Sequence, residues 1–238
     1  MFLNYNIHIY TVFNNRANSS SQNQYRARLT QKDRKQNVIK EVNSNKRSHG
    51  FLAAAGALWV LLLGGGFLIL AQEEFTPVKA APSVRLFPPG SAVQLASDKP
   101  TLVLFAHPRC PCTQASLHEL DGILAETQNR TVSVTVVFTI PDGVPDGWEQ
   151  GDLWNSATTI PGLRVIRDQG GQEAHRFDVA GSGHVLLYAP SGKLLFSGGI
   201  TGSRGHEGDN EGHSAVVSLI LNGHAPVSDT PVFGCSLL

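Results

Sequence analysis

The sequence predicts an α/β fold, a central mixed sheet with flanking helices, preceded by one transmembrane helix. Three observations predict it. Between residues 99 and 223, apolar runs of strand length alternate with stretches of helical periodicity. The last two strand-like runs are joined by a tight turn, so an antiparallel pair follows an early strand–helix–strand unit whose strands are parallel. Residues 51–71, "FLAAAGALWVLLLGGGFLILA", form 21 consecutive positions without a charge.

At about 1.5 Å per residue that run spans roughly 31 Å, close to the hydrocarbon thickness of a bilayer. Its Gly64, Gly65 and Gly66 weaken a helix in water. In lipid the backbone has no water to turn to, and the helix persists. The charges on either side are unequal. Residues 1–50 carry nine Lys or Arg and two acidic residues, a net of +7; residues 72–238 carry ten and seventeen, a net of −7. Basic flanks stay cytoplasmic, so residues 72–238 are expected outside the cytoplasm. Fifty residues is long for the n-region of a cleaved signal, and "LILAQEE" offers no small-x-small cleavage site, so an uncleaved anchor is expected. Residues 1–50, rich in Asn, Ser, Gln and Arg and without apolar periodicity, are expected to be disordered. Residues 72–98 carry four prolines, with a fifth just beyond at Pro100, and read as a linker; residues 99–223 read as the globular domain, and 224–238 as a tail bearing Cys235.

Within the domain, residues 101–107 form an apolar run that reads as a central strand. From Cys112 to about Gln128, Leu117, Leu120 and Leu124 share one helical stripe. Residues 131–140 are β-branched and strand-like. The cluster "PDGVPDG" marks turns, and "WEQGDLWNSA" reads as a short helix with Trp148 and Trp154 turned inward. "LRVIRD" is a short strand and "GQEAHRFDV" a weak helix. His184 to Tyr188, the turn "APSG" and Lys193 to Gly199 make a hairpin. "DNEGHSAVVSLILNG" is helical, with Asp209 or Asn210 as its N-cap and Gly223 where a C-cap belongs.

Two of the three cysteines lie in "TLVLFAHPRCPCTQASL", at the corner between the first strand and the helix after it. A helix N-terminus stabilises thiolate, the form that attacks disulfides and binds metals. The corner places Cys110 and Cys112 at the carboxyl edge of a parallel strand, where both are expected to be partly exposed. A Cys110–Cys112 bridge would be strained and easily reduced. Cys235 is a third thiol, and its tail is short enough to fold back over this edge. It is read as a resolving partner, a third ligand, or a lone buried or modified cysteine. His107, His184, His206 and His213 are the histidines of interest. Thiolates with His107 or His184 would suit copper(I) or zinc. His206 and His213, in "HEGDNEGH", read as a solvated loop and cap. No P-loop, no Ser-His-Asp signature and no basic aromatic surface for nucleic acid is present in the sequence.

The corner segment and "GSGHVLLYAPSGKLLFSGGITG" resemble the active-site strand–helix and terminal hairpin of the thioredoxin-like superfamily. More narrowly, "AHPRCPC", "SGGITGSRGHEGDN" and "TPVFGC" are similar to RedB-type thioredoxin-like membrane proteins. The resemblance covers residues 99–223, roughly half the chain, and implies the thioredoxin-like fold. Two departures stand out. The family's Cys-x-x-Cys is here Cys110-Pro111-Cys112, and Gly183 stands where the family carries a cis-proline that shapes the substrate groove and keeps metal from the thiols. The expected activity is thiol–disulfide exchange, with Cys110 attacking, Cys112 resolving and Cys235 auxiliary. Protein thiols and disulfides are the expected partners, with no resident cofactor. The alternative is a copper or zinc binding or delivery module using Cys110 and Cys112 with His184 or His107, and a third possibility is an interaction domain that kept only the fold.

Overall fold

The computed structural model describes residues 4–78, 84–128 and 131–237. The chain divides into two units, Met1–Leu68 and Ile69–Leu238. One helix, α1, Asn4–Glu74, runs through the first and ends in the second. Its stretch Phe51–Glu74 is long and apolar enough to cross a membrane, with a mean hydropathy of 2.2. The helix also runs through positions 4–50, where no regular structure was expected. That segment has no proline, and its only glycine is Gly50, so nothing interrupts the backbone ladder. Residues 1–3 of the expected disordered segment lie outside the described residues.

Among the described residues, the second unit is built on five strands in the order β3-β2-β1-β4-β5. β1 (Thr101–Ala106), β2 (Ser133–Ile140) and β3 (Leu163–Gln169) run parallel, whereas β4 (His184–Tyr188) and β5 (Leu194–Gly199) form the antiparallel hairpin. Every residue of β1 is buried, as an apolar run at the middle of a sheet requires. The connections are α2 (Pro111–Glu126), α3 (Asp152–Thr159) and α4 (Gln172–Arg176), with α5 (Glu211–Asn222) closing the domain. Strand, helix and parallel strand followed by a hairpin and a last helix is the thioredoxin-like arrangement the sequence leads one to expect.

Alternation along β1 splits the core in two. Leu102 and Leu104 face Leu117, Leu120, Ile123 and Leu124 of α2 and Val216 and Leu219 of α5. Val103 and Phe105 face the opposite way, toward Phe177 and Val179. That second face corrects the linker reading. Residues 84–98 pack onto it, with Val93 buried and Phe87 edge-on to Phe177 and Tyr188 at ring distances of 5.4 and 5.2 Å. Apolar side chains spaced between prolines carry no period, yet they bury area as regular elements do. Residues 79–83 of the expected linker lie outside the described residues.

The caps agree with the sequence. Asn210 accepts the His213 amide through its side chain, and Gly223 ends α5 with φ +74°. Trp154 packs on Phe138 at 5.3 Å. Trp148 corrects the other half of that reading, because it lies ahead of α3, in the turn region before Gly151.

Candidate thiol site

β1 delivers the chain to the corner. His107 follows the strand, and Cys110 is the N-cap of α2 in extended conformation, with Pro111 in the first turn. Proline fits there because its missing N–H has no helical partner and its φ is already helical. The Cys110 amide donates to the His107 carbonyl at 3.1 Å, and the Thr113 amide to the Cys110 carbonyl at 3.0 Å.

A buried residue stitches the corner to two other segments. Ser182 accepts the His107 amide on its hydroxyl at 3.0 Å and meets the Thr113 hydroxyl at 2.9 Å. Its own amide donates to the Cys235 carbonyl at 2.8 Å. The next residue, Gly183, has φ +88°, and a Cβ there would come within 2.9 Å of Ser116 Oγ on α2. The cis-proline's place is thus taken by a residue with freedom at positive φ and no side chain.

The tail completes the site. It runs back beside β5 and the 181–182 turn, with isolated bridges Ser197 to Asp229 and Gly181 to Ser236. Val232 and Phe233 are buried. Gly234 passes so close to Ser182 that a Cβ would collide with the Ser182 carbonyl. Cys235 Sγ then lies 2.7 Å from Cys110 Sγ. The sequence-predicted residues Cys110, Cys112 and Cys235 are therefore brought together.

Their exposure differs from expectation. Cys110 is 1% exposed and Cys112 8%, so neither thiol opens to solvent. Cys235 of the tail lies directly against Cys110, whereas Cys112 is faced by Cys110 and by Arg204 and Gly205 of the glycine-rich loop. Burial also dominates the electrostatics. It pushes the Cys110 thiol up, but the Cys235 thiol and the amides of Cys235, Cys112 and Thr113 donate to its sulfur and bring it below the ordinary cysteine value. Cys112 is raised by burial and by the charge and thiol of Cys110, against the opposing Arg204 charge and Gly205 amide. Cys235 is pushed up to about 12 by burial, by the Cys110 thiol and by the charges of Cys110 and Cys112, again opposed by Arg204. One thiol is poised to ionise and two are held neutral.

The histidines take other roles. His184 is buried, and its Nε2 shares a 2.8 Å hydrogen bond with Ser197 Oγ; burial lowers its pKa to about 4. His107 accepts the Arg109 amide on Nδ1 and packs edge-on to Trp148, and its pKa is lowered by burial and by Arg109. Among the described residues, no three His, Cys, Asp or Glu side chains are grouped to hold a metal ion.

Arg109 reads from the sequence as positive charge beside the thiols, but its contacts, and the parts played by Glu119 and Arg204, escape that reading. Arg109, next to Cys110, lies over the Trp148 ring at 4.2 Å and donates to its carbonyl, forming a wall beside the thiols. Buried Glu119 on α2 accepts the Gly208 amide at 2.6 Å and meets His213 Nδ1 at 2.6 Å, tying the glycine-rich loop down. Arg204, in that loop, reaches the tail. Only its place inside "SGGITGSRGHEGDN" pointed toward it.

No protein-family model matches this chain, and no curated protein matches it by sequence. Solved structures do resemble it. An uncharacterized conserved protein from Geobacillus kaustophilus has a TM-score of 0.49 at 20% identity, over 68% of this chain and 92% of that one. A secreted Mycobacterium tuberculosis disulfide oxidoreductase homologous to E. coli DsbE has a TM-score of 0.33 at 19% identity, over 42% of this chain and 68% of that one. Copper-bound ScoI from Bradyrhizobium japonicum has a TM-score of 0.37 at 16% identity, over 53% and 94%.

Proposed function

We propose that this chain is a membrane-anchored, extracytoplasmic thiol–disulfide exchange protein in which Cys110 attacks and Cys235 resolves. The observation that carries the reading is the 2.7 Å contact between the two sulfurs, with Cys110 the more acidic partner. A disulfide needs about 2.0 Å, so a short approach would close the bond.

The exchange balances as follows. The Cys110 thiolate attacks one sulfur of a substrate disulfide; an S–S bond forms to Cys110, and the other substrate sulfur leaves as thiolate and takes a proton. Cys235 then loses its proton and attacks Cys110, closing Cys110–Cys235 and expelling the second substrate thiol. Two electrons and two protons pass from the Cys110 and Cys235 thiols to the substrate. The reverse sequence oxidises a substrate dithiol. Burial raises Cys235 most, but its further elevation comes from the thiol and charge of Cys110 and the charge of Cys112. Once Cys110 is bound in a mixed disulfide, its share vanishes and the Arg204 charge remains. Cys235 thus ionises more readily at the step that needs it.

A protein substrate reaches Cys110 only when residues 232–235 swing aside, since the sulfur is otherwise covered. The wall of Arg109 and Trp148 beside Cys110 is where such a substrate would rest. Anchoring is supported by the apolar run 51–71, and an extracytoplasmic domain by the basic flank before it.

The test is reduction of insulin by the reduced full-length chain in detergent micelles. Turnover is expected, and Cys110→Ser is expected to abolish it. Failure of the reduced chain to reduce insulin or a small aromatic disulfide overturns the reading.

A further inference from the structure

Arg204 sits half-buried where three segments meet. Its Nη1 donates to the Gly234 carbonyl at 2.6 Å, next to Cys235. Its Nε donates to the Glu73 carbonyl at 3.0 Å and its Nη2 to the Thr76 carbonyl at 3.3 Å, while its amide donates to the Glu74 carbonyl at 3.2 Å. The last carbonyls of a helix have no partner inside it, and a guanidinium is well matched to them because it offers several donors in a fixed fork and complements the helix dipole. Here one fork closes the end of α1 and the thiol-bearing tail together.

We infer that Arg204 is the positioning residue of the thiol site: its guanidinium, anchored on the Glu73 and Thr76 carbonyls, holds Gly234 so that Cys235 stays against Cys110. The inference rests on the exchange reading of that site. Its loop is itself held by Glu119, which accepts the Gly208 amide and meets His213. The fork is therefore presented from a fixed base rather than from a free loop.

The same guanidinium acts by charge. It opposes the elevation of both Cys112 and Cys235. The titratable and charged groups facing this cluster are Cys110 at the N-cap of α2, Cys112 within it, Cys235 from the tail, Arg204 and His206 from the loop, and Glu74 from the end of α1. His206 Nδ1 meets Glu74 Oε1 at 3.1 Å. The two roles separate by substitution. Lysine keeps the charge and loses the fork, whereas glutamine loses both.

The experiment uses the full-length chain in detergent micelles, wild type, Arg204→Lys and Arg204→Gln. Two quantities are read by peptide mass mapping: the fraction of Cys110–Cys235 bridge across a series of glutathione ratios, and the pH midpoint of iodoacetamide alkylation at Cys112. Cys112 is carried by α2, so its midpoint reports charge and not the tail's place. Both variants should form about tenfold less bridge at equal glutathione ratio, the factor that the loss of one charged hydrogen bond carries. The Cys112 midpoint should rise by about one pH unit in Arg204→Gln, the low end of an adjacent opposite charge, and stay at the wild-type value in Arg204→Lys. Wild-type bridge fractions in both variants overturn the inference. Should Arg204→Gln fail to fold by circular dichroism, Arg204→Lys decides alone: less bridge with an unmoved Cys112 midpoint supports it, and unchanged bridge overturns it. No substrate enters these measurements, so a chain that fails with insulin can still pass them.

Discussion

The Cys-Pro-Cys corner and the C-terminal tail bring sulfur to the same point by opposite means. The corner is local. A buried strand ends, Pro111 opens a helix, and Cys110 becomes an N-cap by the rules of strand and helix alone. The tail has no regular element. It arrives from 125 positions further along the chain and is held by bonds to carbonyls: Ser182 to Cys235, Leu237 to Ala180, Val78 to Val232 and Arg204 to Gly234. The difference teaches a division of labour. The corner supplies the attacking thiol and the Cys112 and Thr113 amides that help to lower its pKa, and the tail adds the larger share through the Cys235 thiol and amide and decides what the thiol pairs with.

The largest expected effect breaks the comparison outright. Cys235→Ser keeps a hydroxyl donor beside Cys110 but cannot form a disulfide. With insulin or oxidised glutathione the variant should stop after one event, as a mixed disulfide on Cys110 visible as a mass adduct. Sustained turnover in this variant would show that Cys112 resolves and that the corner works alone.

His184 sharpens the comparison at the strand where corner and tail meet, one residue after Gly183. Burial holds its imidazole neutral, with a pKa of about 4 against an ordinary 6.5. As pH falls from 6.5 to 4 the unfolded chain takes up a proton the folded chain refuses, so stability is lost on acidification through that window. The loss is expected to reach roughly 3 kcal/mol at about 1.4 kcal/mol per pKa unit. Urea melts of the wild type at pH 7 and pH 4.5 measure it, and His184→Gln should flatten the dependence. An equal pH slope in the variant would assign acid sensitivity elsewhere.

Gly234→Ala is the smaller test and addresses the tail alone. Its Cβ would collide with the Ser182 carbonyl, so the tail must shift, at a cost of about 1–3 kcal/mol typical of overpacking. Hydrogen exchange of the Ser182 and Leu237 amides should quicken, and Cys110 should alkylate faster than in the wild type. Unchanged exchange would mean that the tail is not fixed by that contact.

The same division explains what the sequence could and could not reveal. The corner, the hairpin at His184–Tyr188, the Asn210 cap and the Gly223 stop were legible because each is set by neighbours within a few residues. Cys235 was suspected as an odd thiol on a short tail. That tail was expected to be able to fold back over the corner, but which of the two sulfurs Cys235 would meet was not legible, because it depends on the bare Gly234 backbone passing Ser182. The burial of Cys110 goes with that same contact, and the burial of Cys112 with the Arg204–Gly205 loop, and both were missed. Arg204 was hidden for a related reason: its partners are carbonyls, which every residue has, so no motif of side chains announces them. Residues 84–98 escaped because Phe87, Val93 and Leu95 pack without periodicity, between prolines that argue for a linker. Trp148 was placed inward by type, whereas the structure sets it against Arg109 and His107 beside the thiols.

The most direct test of the account is the connectivity of the oxidised protein. The full-length chain is equilibrated with oxidised glutathione, digested without reduction and mapped by mass. The account predicts a peptide containing Cys110 and Cys112 linked through Cys110 to the peptide containing Cys235, with Cys112 alkylatable. A bridge between Cys110 and Cys112, with Cys235 free, would contradict it.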